Sequence, residues 1–405
     1  MTGLISDKFK ARITVDANRY GRSDRSPMGR WFWEIDRVLL LLIAALIGIG
    51  LIAVAAASPA AAVRYSGGNV RVPELYYFYR QLAWIAVGIP VMIGISMLSR
   101  ERARRLSLFG AAFFFVLLIF VPVIGPEING ARRWIELPIG QLQPSEFLKP
   151  FFVVALAWLL SLRESDRSIP VYWLSAALTG AVAYLLMKQP DFGSTIIFAA
   201  VWIALLAIAG VSLRVLGLLA AGAIVGIVAA YFFYDVATQR IDGFLFGEGD
   251  TFQTDNAMRT LTAGGLFGMG PGAGTRKFGL PEPQTDYIFS VIGEEFGLIA
   301  CFAIALLYLT IVARVLVKLL DEDSPFAILA GAGLVLMFGL QALINMAVNV
   351  QIAPSKGMTL PFISYGGSSM LALSIGMGLL LAFTRRNPYL TRSPYVVKWS
   401  GESQT

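Results

Sequence analysis

The chain of 405 residues contains no histidine. That removes the commonest general base at neutral pH, the commonest zinc ligand and any histidine proton relay. Acid–base chemistry is left to carboxylates, lysine, tyrosine or water. Cys301 is the single cysteine and sits inside an apolar run. No intramolecular disulfide can form, so cysteine says nothing of the redox compartment. Charged residues make up only 15% of the chain. Short segments of alternating polarity, the mark of a membrane β-barrel, are absent as well.

What is present is apolar length. Hydrophobic residues make up 57% of the chain and mean hydropathy is +0.68. A soluble domain of this size could not bury so much apolar surface. Long apolar runs fall near 38–58, 80–98, 104–123, 146–162, 170–187, 193–209, 211–233, 287–318, 326–350 and 367–384. They predict an all-α polytopic membrane protein of about ten helices. Ala55-Ala56-Ala57 looks like a signal-peptidase site, but its run is too long for a signal sequence and reads as an uncleaved first helix. Pro90 predicts a kink in the second helix. The eighth run exceeds one bilayer thickness, which predicts tilt or extension into water.

Residues 1–37 form a basic tail carrying Lys8, Lys10, Arg12, Arg19, Arg22, Arg25, Arg30 and Arg37. With this tail inside, roughly two thirds of the 33 Lys and Arg residues fall on the cytosolic side. That bias predicts cytosolic termini and an even number of helices. The domain plan is then a tail (1–37), a membrane domain (38–385) and a cytosolic C-terminal tail (386–405). The Gly, Pro and charged clusters collect in 59–79, 124–145, 188–192, 234–286 and 351–366, all on the extracytoplasmic side. No internal repeat is visible.

Five clusters could carry chemistry. The first runs from Asn129 to Glu136 and on through Gln141 to Lys149. Arg132 and Arg133 offer forked donors suited to phosphate, and Glu146 and Lys149 can pair on one helix face. The same residues equally suit an anchored re-entrant loop with snorkelling charges. The second, Lys188 to Ser194, reads first as a salt bridge or a helix cap at Asp191. The third is the glycine-rich stretch Ala263 to Gly274, followed by Arg276 and Lys277. Its N–H groups could cradle a phosphate, but no nucleotide-loop pattern is present, and tight turns explain it equally.

The fourth cluster, Leu280 to Glu295, holds Asp286 where the eighth helix begins. A helix cap and a general base both fit an ionised carboxylate there. Ser290, Gly293 and Gly297 share its helix face and predict close packing or substrate room. Glu294 and Glu295 lie deeper, where carboxylates need a partner or a function. The fifth, Ala353 to Ser369, is rich in hydroxyls and glycine, with Lys356 as its one cation. It also suits a re-entrant cap whose hydroxyls satisfy backbone groups.

Together, NGARRWI…QPSEFLK, KQPDFGST, LPEPQTDYIFSVIGEE and LPFISYGGSS resemble, in order, the motifs of the SEDS family of bacterial cell-wall polymerases. The resemblance spans roughly residues 38–385. It implies the ten-helix SEDS fold with a large extracytoplasmic loop between helices 7 and 8. It implies peptidoglycan glycosyltransferase activity, polymerising lipid II into β-1,4-linked glycan with release of undecaprenyl pyrophosphate. The family's functional aspartate falls on Asp286. Arg132, Arg133, Lys149 and Lys356 become candidate contacts to the pyrophosphate. Glu146, Glu282, Ser364, Tyr365, Gly366 and Gly367 become candidate substrate contacts. Within the family, Pro354 to Phe362 resembles the division-type branch more than the elongation-type, with Lys356 carrying much of the distinction. The implied setting is the inner membrane at the septum, beside a class B penicillin-binding protein and other divisome membrane proteins, with no nucleic acid. No cofactor is implied as required. A divalent cation, Mg or Mn, would suit the pyrophosphate, although no dedicated metal motif is present.

Two features depart from the family pattern: Gln284 stands where the division-type motif often has histidine, and Asp250–Thr262 is unusual. Other readings are an elongation-type polymerase, a lipid II flippase and a structural scaffold. A transporter would need paired broken helices in corresponding halves, and the sequence shows none.

Overall fold

The computed structural model describes residues 27–67, 71–127, 131–137, 140–233, 235–246, 252–354 and 357–385. A short helix α1 (Pro27–Glu34) precedes the first long one, α2 (Arg37–Tyr65). Then come α3 (Tyr76–Ser96), α4 (Arg100–Ile124), a hairpin of β1 (Ile135–Leu137) and β2 (Gly140–Leu142), and α5 (Pro144–Ser165). Helices α6 (Val171–Lys188), α7 (Phe192–Ile208) and α8 (Leu213–Phe233) follow. Two short helices, α9 (Asp235–Leu245) and α10 (Phe252–Ala263), and a 3₁₀ turn at Arg276–Gly279 lead to α11 (Ile288–Leu319). The chain closes with α12 (Pro325–Asn349) and α13 (Gly367–Thr384).

Among the described residues, nine helices are long and apolar enough to cross a membrane, and the 17-residue α7 is a shorter apolar helix. These ten match the ten apolar runs of the sequence. The chain is a multi-pass membrane protein.

The helix starts are written locally. Asp36 caps α2 by accepting from the Leu39 N–H at 3.0 Å. Ser99 and Ser324 cap α4 and α12, and proline opens α5 and α12. Asp191 caps α7 through the Ser194 N–H at 3.1 Å, the plainer of its two readings. Helix α3 runs unbroken through Pro90, and α2 continues through Pro59 to Tyr65, beyond the expected end.

Helices α5, α12 and α13 form the centre, with 72%, 67% and 67% of their apolar windows buried. Helix α8 lies at the periphery with none. Glycine lets α13 lie against α3: a Cβ at Gly88 would meet Ser374 Oγ at 2.6 Å, and one at Gly378 the Met92 carbonyl at 2.7 Å.

The bundle has two distinct ends. At one, ion pairs join Arg314 and Lys318 to Asp36, Arg100 to Glu322, and Arg385 to Glu34. The first and last described segments therefore meet at this basic end. The hairpin, α9, α10 and the Asp286 segment lie at the opposite, loop end. The 252–286 segment is more ordered than a polar loop, because Ala257, Thr260 and Leu261 of α10 bury against α11.

Helix α11 explains its own length. At Gly297 (φ 83°, ψ 172°) the backbone leaves the helix. The glycine-rich stretch inserts there, with Leu298 N–H donating to the Gly265 carbonyl at 3.0 Å and Met269 N–H to that of Glu294 at 2.9 Å. The peptide groups freed by the break are thus satisfied inside the protein. Glu294 accepts from the N–H groups of Arg276 (2.6 Å) and Lys277 (2.9 Å). Glu295 accepts from the Gly272 N–H at 2.9 Å and pairs with the Lys277 ammonium. The donors that might have cradled a phosphate bind the chain's own carboxylates. Gly293 and Gly297 serve close packing, against Leu261 and Leu266.

Candidate active site around Asp286

Asp286 lies one residue before Tyr287, which takes the N-cap position of α11 with no capping side-chain bond. The main chain at this point is fastened from two directions. From α12, Asn345 Nδ2 and Asn349 Nδ2 donate to the Asp286 carbonyl at 2.9 and 3.0 Å. Asn349 Oδ1 accepts from Ser290, from its N–H at 3.1 Å and its hydroxyl at 2.7 Å. From the segment before α13, the Ser364 hydroxyl donates to the Thr285 carbonyl at 2.6 Å, and Tyr365 N–H donates to that of Gln284 at 2.8 Å. Half-buried Asp286 is thereby held at a fixed place between two segments.

The 357–367 segment is itself pinned. Asn345 Nδ2 also donates to the Met358 carbonyl at 2.6 Å, and the Tyr308 hydroxyl to that of Pro361 at 2.5 Å. Phe362, fully buried, holds φ 63°, a left-handed conformation that costs a non-glycine residue roughly 1–3 kcal/mol. Gly357 approaches Asp286: a Cβ there would lie 3.2 Å from Oδ2.

Beside this junction lies a small cleft, about 40 Å³ in volume, between α5, α12 and α13. Its polar end holds Glu146, Lys149 and Gln341; its apolar part includes Leu334, Phe338 and Leu373. Lys149, only 3% exposed, donates to Glu146 Oε1 at 2.6 Å and Gln341 Oε1 at 3.4 Å. Gln341 Nε2 in turn donates to the Thr359 carbonyl at 3.2 Å. Gln341, Asn345 and Asn349 are spaced four apart, so one edge of α12 links the groove to Asp286.

The other candidates separate by what they touch. Arg133 Nε donates to the Gln189 carbonyl at 2.9 Å and its Nη2 bonds the Pro190 carbonyl, so this guanidinium secures the turn before α7. Arg132 is exposed and lies 3.5 Å from Glu127. Glu282 accepts from the hydroxyls of Tyr65 and Thr285 and from Gln284 Nε2. Ser364 uses its hydroxyl on the backbone, also accepting from Leu360 N–H at 2.7 Å. Gly366 precedes α13 in extended conformation, and Gly367 opens it under Trp84, where a Cβ would fall 2.6 Å from the indole. Tyr365 lies half-buried against Tyr77, and burial raises its phenol above its ordinary value. Lys356 lies outside the described residues.

The residues that sequence reading passed over are Gln341, Asn345 and Asn349. Their signal was present: three amides at helical spacing inside an apolar run. Among the described residues no group of three or more Asp, Glu or Cys side chains is gathered as a metal would require. Of the carboxylates near the site, Glu146 accepts from Lys149, and Glu282 accepts from the hydroxyls of Tyr65 and Thr285.

Comparison with known proteins agrees with this architecture. The family described as cell cycle protein FtsW/RodA/SpoVE matches residues 37–389, nearly the whole chain. The chain belongs to this family. Within it, "Probable peptidoglycan glycosyltransferase FtsW" of Caulobacter vibrioides is 38% identical over 371 residues, covering 91% of this chain and 94% of that protein. The protein of the same name from Alkalilimnicola ehrlichii is 35% identical over 376 residues, covering 90% and 92%. Among solved structures, a chain described under structural coordination of polymerization and crosslinking by a peptidoglycan synthase complex has a TM-score of 0.71 at 28% identity. It covers 86% of this chain and is itself covered over 97%. The rod shape determining protein RodA of Thermus thermophilus has a TM-score of 0.63 at 29% identity, with coverage of 86% and 96%. The sequence motifs and the fold therefore point to one family, FtsW/RodA/SpoVE.

Proposed function

We propose that this member of the FtsW/RodA/SpoVE family polymerises lipid II, with Asp286 as general base. The observation that carries the reading is the edge of α12. It fixes the Asp286 main chain through Asn345 and Asn349, and it borders an amphipathic groove through Gln341. A lipid-linked substrate needs both halves of such a groove, apolar wall for its chain and charge for its head.

Asp286 accepts the proton of the acceptor sugar's 4-hydroxyl. That oxygen attacks C1 of the donor N-acetylmuramic acid from the side opposite the pyrophosphate. The C1–O bond to undecaprenyl pyrophosphate breaks, and its electron pair leaves with the phosphate. The anomeric centre inverts to a β-1,4 link. A positioned base supplies roughly 10²–10⁴-fold. Lys149 is the cation at the groove's polar end and stands where it could meet the leaving anion.

Purified protein mixed with lipid II in detergent tests the reading. Wild type should make glycan strands, and folded Asp286→Asn and Asp286→Ala should not. Full polymerisation by both variants would refute the base. Absence of glycan from wild type, together with lipid II transfer between leaflets of vesicles, would establish a flippase instead. Against that second reading, α11 is the one helix broken by a non-helical residue among those described, whereas inverted-repeat transporters break helices in pairs.

The wider setting is part of the proposal. The charge bias supports placing the basic end in the cytosol and the Asp286 end outside, where the wall is built. The relatives' FtsW naming and the Pro354–Phe362 motif support a septal role. The likeness to a chain of a peptidoglycan synthase complex supports a class B penicillin-binding protein as the crosslinking partner.

A further inference from the structure

Helix α1 has two faces. Trp31 and Ile35, one turn apart, are buried, and the Trp31 indole donates to Ser96 Oγ of α3 at 2.8 Å. Glu34 pairs with Arg385, just past α13, at 3.3 Å. These contacts fix how the short helix lies on the basic end of the bundle. Met28 and Phe32, also one turn apart, are 58% and 49% exposed.

Two exposed apolar side chains would mean little alone. Their neighbours show what covers them. Only Ile35 and Asp36 separate α1 from α2, a bilayer span whose first turns expose Val38 and Leu41. Arg37 joins the two helices. Its guanidinium carbon lies 4.3 Å from the centre of the Phe32 ring and 4.7 Å from that of Trp33, and Nη2 donates to the Phe32 carbonyl at 3.3 Å. Phe32 therefore sits level with the first turn of a span, the depth at which aromatic rings and arginine meet headgroups.

The charge around this face has one sign. Asp36 gives its oxygens to Arg314 and Lys318, and among the described residues no carboxylate pairs with Arg37. Residues 1–30 add seven Lys and Arg against three Asp. Apolar side chains flanked by excess cations suit an anionic phospholipid surface. Its acyl boundary takes the apolar groups and its phosphates take the cations. An acidic soluble protein would match the charge but not the depth beside Val38 and Leu41.

We infer that α1 is an interfacial anchor that seats the basic tail on anionic phospholipids of the leaflet at the basic end. Met28 and Phe32 enter the acyl boundary, and Arg37 meets a lipid phosphate. The inference is independent of the chemistry at Asp286.

The test uses the full chain in two kinds of nanodisc, one of phosphatidylcholine alone and one containing phosphatidylglycerol. Tryptic cleavage after Arg19, Arg22 and Arg25 reads the tail. It should slow about tenfold in the anionic disc and recover near 1 M salt, where screening shortens to about 3 Å. Phe32→Ser leaves the Trp31 contact in place and should restore much of the cleavage. Nitroxide labels on Met28→Cys and Phe32→Cys, each in a Cys301→Ala background, read depth. Collisions with oxygen should outnumber those with a water-soluble nickel chelate at both positions. Equal cleavage of wild type in the two discs overturns the anchor and needs no variant to fold. So does protection of Phe32→Ser equal to that of wild type. Nickel collisions in excess at both positions also overturn it and leave this face to a soluble partner.

Discussion

Asn345 bridges two main-chain oxygens: its amide nitrogen lies 2.9 Å from the Asp286 carbonyl and 2.6 Å from that of Met358. One side chain therefore sets the spacing between the catalytic candidate and the segment lying over it. Asn345→Leu should lower kcat about 10²-fold, the scale of a misplaced reacting group, while KM for lipid II changes little. Asn345→Asp keeps the shape but loses both donors and should fall as far. Steady-state polymerisation kinetics check this, and an unchanged kcat in either variant would refute the positioning role.

Lys149 and Glu146 form a pair almost sealed at the groove's polar end, with side-chain exposures of 3% and 13%. Removing one partner strands the other charge. Lys149→Met should lower thermal stability by about 3–5 kcal/mol and reduce kcat/KM. The double variant Lys149→Met, Glu146→Gln should regain much of the stability without the activity. Thermal unfolding in detergent beside turnover separates the two effects.

Gly297 sits at φ 83°, and a Cβ there would lie 2.3 Å from the Leu266 carbonyl. Gly297→Ala should destabilise the protein by more than about 1 kcal/mol and loosen the glycine-rich stretch. Limited proteolysis within 264–274 should accelerate. Protection equal to wild type would show that the break in α11 tolerates a side chain.

Asp36 holds the basic end together. Burial would raise its carboxyl, but bonding from Arg314 and from the Leu39 N–H, with the nearby charge of Lys318, holds it below the ordinary 3.8. A folded value below the unfolded one means that its contribution is complete above the unfolded value. It is lost as pH falls through the lowered folded value. Wild type should lose stability there, and Asp36→Asn should be less stable at neutral pH and show a flatter acid limb. Melting curves in detergent across acidic pH read the difference.

Much of the fold was legible because bilayer thickness imposes a length on apolar runs, and all ten runs overlie apolar helices. Caps at Asp36, Asp191 and Ser324 need only local chemistry and could be read within four residues. The pairing of β1 with β2 and helices α9 and α10 were not readable. Each is short and polar, and α10 is held by burial against α11 rather than by its own periodicity. Glu294 and Glu295 were legible as costly residues, but their partners come from 17 to 23 residues earlier in the chain. Arg133 looked like a phosphate ligand because its chemistry allows it, and the structure gives its guanidinium to the turn at Gln189 and Pro190.

The sequence by itself determined the class, the helix count and the position of Asp286 at a helix start. These follow from hydropathy, chain length and local capping, which act along the chain. Only the tertiary structure decided that Asn345 and Asn349 of α12 hold the Asp286 main chain, and that tyrosines from α2, α3 and the α12–α13 connection share one patch with Glu282. Those relations join residues separated by 59 to 288 positions. Hydrogen bonds act over about 3 Å, and which groups come that close is set by helix packing rather than by any local run.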